Sequence, residues 1–123
     1  MKAEPIKSRK DITKVEQYLK VHNKRDYVIW VLGMNSGLRV SDIVRLNVSD
    51  VVDKTHIKII EKKTGKEKTF YINDKLKRVL KDFTKGRKLE DLFLGKQGKR
   101  LDRSQVYRFI VKACRENGIR VHV

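Results

Sequence analysis

Apolar and polar residues follow two distinct periods along this chain, and the periods mark out its elements. "SRKD" (Ser8 to Asp11) has the spacing of a capping box, with Ser8 as the cap and Asp11 three residues on. Ile12, Val15 and Leu19 then fall on one face of a first helix. Arg25 to Ser36 contains the run "YVIWVLGM" (Tyr27 to Met34). It is apolar on most sides, which predicts the most buried helix of the fold. Gly37 is placed to end it in the left-handed conformation. Val40, Ile43 and Val44 share a face of a short third helix, with Ser41 in position to cap its start.

The pattern then changes. "HIKII" and "KTFYI" (His56 to Ile60, Lys68 to Ile72) are rich in β-branched and aromatic residues and predict the two strands of a hairpin. Its tip is "EKKTGK" (Glu61 to Lys66), with Gly65 supplying the turn. Asn73 caps a fourth helix that carries Leu76, Val79, Leu80 and Phe83 at helical spacing. "DLFL" (Asp91 to Leu94) predicts a short extended piece, and "GKQGKR" (Gly95 to Arg100) a basic, flexible loop. Asp102 with Gln105 opens a fifth helix, whose inner face is Val106, Ile110, Ala113 and Cys114 and which Gly118 stops. The fold class is therefore α+β and mainly helical: about five helices with a small antiparallel hairpin or three-stranded sheet. Pro5 and its charged neighbours predict a loose segment over residues 1–10, and no repeat or linker divides 1–123.

Charge adds the first indication of function. Lys and Arg number 31 against 15 Asp and Glu, a net +16. In one small domain this points to a polyanion, above all nucleic acid. Each basic side chain that neutralises a phosphate releases counterions and so gives binding without sequence preference. No segment approaches the ~18 apolar residues of a membrane span, and the N-terminus has no apolar signal region, so a cytoplasmic protein without a membrane partner is expected. The single cysteine, Cys114, excludes an internal disulfide and lies on an apolar helix face, as a buried thiol does. His22, His56 and His122 are scattered without metal-ligand spacing, the acidic residues are dispersed, and no phosphate-binding glycine loop occurs. Neither a metal site nor a nucleotide-binding loop is therefore indicated by these patterns.

Two places could carry chemistry. Arg39 follows Gly37 and Leu38 and precedes the third helix, where unpaired N–H groups and a planar guanidinium can meet one anion. Asp42 could orient that guanidinium, or the pair could be ordinary capping. Lys62, Lys63, Lys66 and Lys68 crowd the hairpin tip. They read either as a solvated turn that guards the strands or as a finger reaching into a groove. Lysine normally titrates near ~10.4 and so holds a proton it can donate at neutral pH. Tyr18, Tyr27, Tyr71 and Tyr107 lie on helix faces or in a strand and read as structural.

The order of these motifs resembles the tyrosine recombinases, the phage integrase family. "SGLRVSDIVRLNVSDV" (Ser36 to Val51) is similar to the family's first-arginine box, "KKTGKEKTFYI" to its β-hairpin, and "DLFLGKQGKRLDRSQVYRFIVKACRENGI" to the strand, loop and helix that follow. The resemblance runs from about Ile12 to Ile119. It implies an enzyme that breaks and rejoins double-stranded DNA through a 3′-phosphotyrosyl intermediate, with no cofactor. Arg39 would clamp the phosphate, Asp42 would support it, and Lys63 would protonate the leaving 5′ oxygen, with Lys62 its nearest competitor. Ser36, Ser41, Arg45, Lys62, Lys66, Lys96, Lys99, Arg100 and Arg103 are the remaining candidates for binding DNA. The parent protein would assemble on DNA as a dimer or tetramer.

The family's histidine-x-x-arginine box is expected soon after "GIRVHV", and neither it nor the nucleophilic tyrosine follows in this sequence. Tyr107 is in the wrong chain order to replace that tyrosine. The expectation is a partial catalytic domain that binds DNA without cutting it, with the inner faces of the second and fifth helices partly uncovered. Two other readings compete. A non-catalytic helix-turn-helix module would set Arg39, Ser41 and Arg45 against bases, and a ribosomal-type RNA binder rests on charge alone.

Overall fold

The computed structural model describes residues 8–88 and 90–120. The elements run α1 (Arg9–His22), α2 (Lys24–Ser36), α3 (Val40–Ile43), a 3₁₀ turn (Val48–Asp50), β1 (His56–Ile60), β2 (Glu67–Tyr71), α4 (Asp74–Thr84) and α5 (Arg103–Glu116). The result is a mainly helical α+β domain with one antiparallel strand pair.

Local sequence accounts for most boundaries. The Ser8 side chain accepts from the Asp11 N–H at 3.4 Å and starts α1. Arg9 and Lys10, expected in the loose segment, are already helical. Residues 1–7, with Pro5, and His122 lie outside the described residues. Asn23 serves two helices at once. Its N–H donates to the Leu19 carbonyl at 2.9 Å and its side chain accepts from the Asp26 N–H at 3.2 Å, so α1 and α2 join without a loop and pack on each other. Val28, Ile29, Trp30, Val31 and Leu32 are buried in succession. Five buried neighbours in a row need cover on every side, and α1, α3 and α4 surround α2.

Two expectations need correction. The third helix is a single turn, because Val44 and Leu46 follow Ile43 into the core instead of continuing the helix. Arg39, not Ser41, holds its cap position, and no side chain caps it. No third strand forms among the described residues. Asp91 and Leu94 make single bridges, to Asn47 and Arg100. Leu92 and Phe93 are both fully buried, so this segment threads through the core, whereas a sheet strand alternates its faces.

The hairpin pairs His56 with Tyr71 through to Ile60 with Glu67. Ile57 and its partner Phe70 hold its inner face to the core. The second strand begins one residue earlier than its sequence pattern suggests. Asn73 caps α4 by accepting from Leu76 at 2.9 Å. Asp102 and Gln105 form the full capping box of α5, at 2.8 and 2.9 Å. The inner faces of α2 and α5 are covered for the most part, and Ile110 of α5 keeps part of its surface exposed. Val106, Ala113 and Cys114 have no exposed surface, and burial pushes the Cys114 thiol up. The segment that carries Leu92, Phe93 and Leu101 fills the core beside them.

One charged pair lies inside. Asp26 is 6% exposed, and the Arg25 guanidinium bonds its carboxylate at 2.9 Å and the Leu94 carbonyl at 3.0 Å. Burial raises the Asp26 carboxyl above its ordinary range, and the bond and charge of Arg25 oppose the rise. Arg25 thereby ties the start of α2 to the buried 91–94 segment.

Candidate functional site

The site grows from the Gly37 corner. Gly37 has φ +78°, and its N–H donates to the Gly33 carbonyl at 3.1 Å, which ends α2 in the left-handed conformation. Leu38 turns into the core and Arg39 turns out. The Arg39 carbonyl accepts from the N–H groups of Asp42 and Ile43, both at 3.0 Å, so its backbone is fixed. Its guanidinium is exposed and has no hydrogen bond or ion pair among the described residues. Asp42 is half-buried on the same turn and makes no direct bond to it.

The hairpin tip is closed by Glu61 N–H to the Lys66 carbonyl at 2.9 Å and Gly65 N–H to the Glu61 carbonyl at 2.8 Å. Gly65 sits at φ +68° as the turn requires. Lys62, Lys63 and Lys66 are exposed and unpaired among the described residues, while Lys68 pairs with Glu61 at 2.6 Å. The hydrogen bond and charge of Lys68 hold the Glu61 carboxyl below its usual range, and the Arg39 charge contributes in the same direction.

The remaining candidates divide in two. Arg45, Lys96, Lys99 and Arg103 are exposed. Ser36 and Arg100 are already engaged, and Ser41 is half-buried. The Ser36 hydroxyl donates to the Leu32 carbonyl and accepts from the Leu38 N–H at 3.1 Å. The Arg100 guanidinium bonds the Asn47 side chain at 2.9 Å, the Asp91 carboxylate, and the Val44 carbonyl at 3.4 Å. It secures the 95–100 loop to the end of α3. Gly95 N–H also donates to the Lys99 carbonyl at 2.7 Å, so the loop is a bonded turn and not the flexible strand of residues expected. Lys96 and Lys99 are exposed on that turn.

Sequence reasoning missed one basic surface. Arg103, Tyr107, Arg108, Lys112 and Arg115 line an open groove of about 750 Å³ on the outer face of α5. The spacing of Arg103, Arg108, Lys112 and Arg115, at five, four and three residues, was the available signal. Reading the helix only for its apolar face hid it. A histidine-x-x-arginine spacing does occur, at His22 to Arg25. It precedes Arg39 in the chain. His22 stacks on Tyr18 at 4.1 Å, and Arg25 is committed to Asp26 and Leu94. No group of three or more metal-ligating side chains occurs among the described residues, and none of their helices is long and apolar enough to cross a membrane.

The sequence profile of the phage integrase family matches residues 8–123. The chain belongs to this family. A probable integrase/recombinase of Bacillus subtilis (strain 168), YoeC, is 40% identical over 119 residues, covering 94% of this chain and 65% of that protein. The chain thus spans just under two thirds of that relative's length. Among solved structures, the XerA recombinase superposes with a TM-score of 0.77 at 20% identity, over 92% of this chain and 42% of that one. Lambda integrase bound to DNA superposes with a TM-score of 0.71 at 21% identity, over 91% of this chain and 42% of that one. The phage integrase fold is therefore shared well beyond the range of close sequence similarity.

Proposed function

We propose that this chain supplies the phosphate-gripping part of a site-specific DNA recombinase centre, acting on double-stranded DNA in the cytoplasm. One observation carries the reading. The Arg39 guanidinium stands exposed on a fixed backbone corner, without a protein partner among the described residues. An arginine fork so placed can bond two non-bridging oxygens of one phosphate.

In the proposed reaction a tyrosine releases its phenolic proton to solvent, its oxygen attacks the scissile phosphorus, and the bond to the 5′ oxygen breaks. The 3′ phosphate stays linked to the tyrosine. Arg39 offsets the charge gathered on the transferring oxygens, where preorganised donors contribute most. Lys63 gives its proton to the departing 5′ oxygen, so that a hydroxyl leaves and not an alkoxide. In the reverse step a 5′ hydroxyl returns that proton to Lys63 and attacks, and the departing tyrosine oxygen regains its proton from solvent. The phosphotyrosyl link conserves the energy of the broken bond, so no cofactor is needed. Asp42 supports Arg39 through its field. Arg45, Lys62, Lys66, Lys96, Lys99 and Arg103 bind the duplex, joined by the basic face of α5. The parent protein assembles on DNA as a dimer or tetramer.

The nucleophile is none of Tyr18, Tyr27, Tyr71 or Tyr107. Tyr18 stacks on His22, Tyr27 lies half-buried under Lys20, Tyr71 sits at the end of the hairpin away from its tip, and Tyr107 faces outward on α5. These 123 residues alone therefore bind DNA without cutting it. A helix-turn-helix reader gains little support, because α3 is one turn long and Ile43, Val44 and Leu46 are buried.

Fluorescence anisotropy with a labelled duplex over a salt series tests the reading. Arg39→Ala is expected to weaken binding and to reduce the log–log salt slope by about 0.9 for each phosphate left without its cation. A denaturing gel should show no covalent protein–DNA adduct. An adduct formed by this chain alone, or an unchanged salt slope in Arg39→Ala, refutes it.

A further inference from the structure

A second basic surface lies at the opposite end of the hairpin. The turn before β1 and the outer face of α4 enclose an open groove of about 850 Å³. Ile72 N–H to the Thr55 carbonyl at 2.9 Å closes the hairpin base beside it. The five-residue strands separate this base from the lysine tip by about 17 Å at ~3.3 Å per residue. The groove is thus distinct from the Arg39–Lys63 surface.

Its lining has a definite pattern. Val51, Val52, Ile72 and Leu80 form an apolar floor, and Val52 keeps 37% of its surface exposed there. Lys54, Lys77, Arg78, Lys81 and Lys85 stand around that floor without an ion pair among the described residues. Lys77 and Lys81 stand one turn apart on α4, and Lys85 follows at its C-terminal cap. Of the two acids in the lining, Asp82 is paired with Lys24 at 2.5 Å, which leaves Asp53 alone against five cations.

We propose that this groove docks an acidic amphipathic segment of another protein. The basic rim pairs with its carboxylates, and its apolar side chains cover Val52 and the lysine stems. Charge complementarity selects an acidic partner. The apolar floor selects a protein segment over a duplex, since phosphates gain nothing from an apolar floor. The partner is not a second copy of these 123 residues, because their acids are dispersed and only Glu90 and Asp91 are adjacent.

The probe is a labelled helical peptide with leucines at i, i+3, i+4 and i+7 and glutamates between. Its control carries serine in place of each leucine. The full 123-residue chain should bind the first peptide at least roughly tenfold more tightly than the control. Val52→Ser and the double variant Lys77→Glu/Lys81→Glu should each weaken binding about tenfold, and Arg39→Ala should not change it. These positions are exposed, and matched thermal unfolding verifies that the variants fold. Duplex affinity should change less than about twofold in Val52→Ser and in a milder Lys81→Gln variant. Equal binding of both peptides, or indifference to Val52→Ser, overturns the proposal. Duplex affinity that falls as far as peptide affinity assigns the rim to nucleic acid and overturns it as well. Dimerisation abolished by Val52→Ser gives the groove to a second copy, with the same consequence.

Discussion

Gly37→Ala tests the link between backbone conformation and the aim of Arg39. Gly37 has φ +78°, and a Cβ added there would meet nothing within 4 Å. Packing therefore contributes no clash, and the whole penalty is the left-handed backbone of an L residue, about 1–2 kcal/mol. For a domain of this size that lowers Tm by roughly 3–8 °C. The chain has two ways to respond. It can keep the corner and accept the strain, in which case only stability falls. It can also relax the corner, which swings Arg39 two residues on and lowers DNA affinity as Arg39→Ala does. Thermal unfolding and duplex binding, measured on the same samples, separate these responses. Gly37→Asn should lose less, since asparagine tolerates the left-handed region better. An alanine variant with unchanged Tm and unchanged affinity would show that the corner does not impose this conformation, and that Arg39 is aimed by something else.

Other outcomes follow from the same geometry. Phe93→Ala should lose about 3–5 kcal/mol in denaturant unfolding, because the ring is fully buried beside Phe83. Arg25→Met should lose about 3–5 kcal/mol at neutral pH by leaving the Asp26 carboxylate buried and unpaired. Asp26 has a raised folded pKa, so its contribution is fully present below the unfolded pKa and is lost as pH rises through the folded value. Asp26→Asn should accordingly gain stability relative to the parent as pH rises across that window, and a constant difference would count against it. Asp102→Ala should lose about 1 kcal/mol, read by thermal unfolding, with the capping box of α5.

What could be read from the residues was what local chemistry decides. The caps at Ser8, Asn73 and Asp102, the stop at Gly37 and the turn at Gly65 each depend on a few neighbours, and each stands where its pattern puts it. The misreadings were tertiary. Val44 and Leu46 continue a helical spacing, yet the core draws them inward and ends α3 at Ile43. "DLFL" has strand composition, but Leu92 and Phe93 are buried together between helices, so a ladder never forms. Arg100 reads as a loop cation. Only the fold shows its bonds to Asn47, Asp91 and Val44, residues 9 to 56 positions away in sequence. The basic face of α5 was visible in principle but was hidden by attention to its apolar face.

Arg39 and Lys63 are mounted differently, and the difference suits their proposed roles. Leu38 and Ile43 are buried on either side of Arg39, and its own carbonyl holds two N–H groups, so the base of that side chain is rigid. A phosphate clamp needs that, because misplacement of about 1 Å weakens its grip on the transition state severely. Lys63 rides a tip in which residues 62 to 66 are all exposed and whose nearest fully buried side chain is Ile57. Elements with so little buried surface open at low free energy. A proton donor can work from such a mount, since it must reach one oxygen at the moment of departure and then withdraw. The Glu61–Lys68 ion pair braces the root of the finger. The fold thus gives Arg39 a fixed mount and Lys63 an exposed one, and the proposed division between phosphate clamp and proton donor draws on that difference.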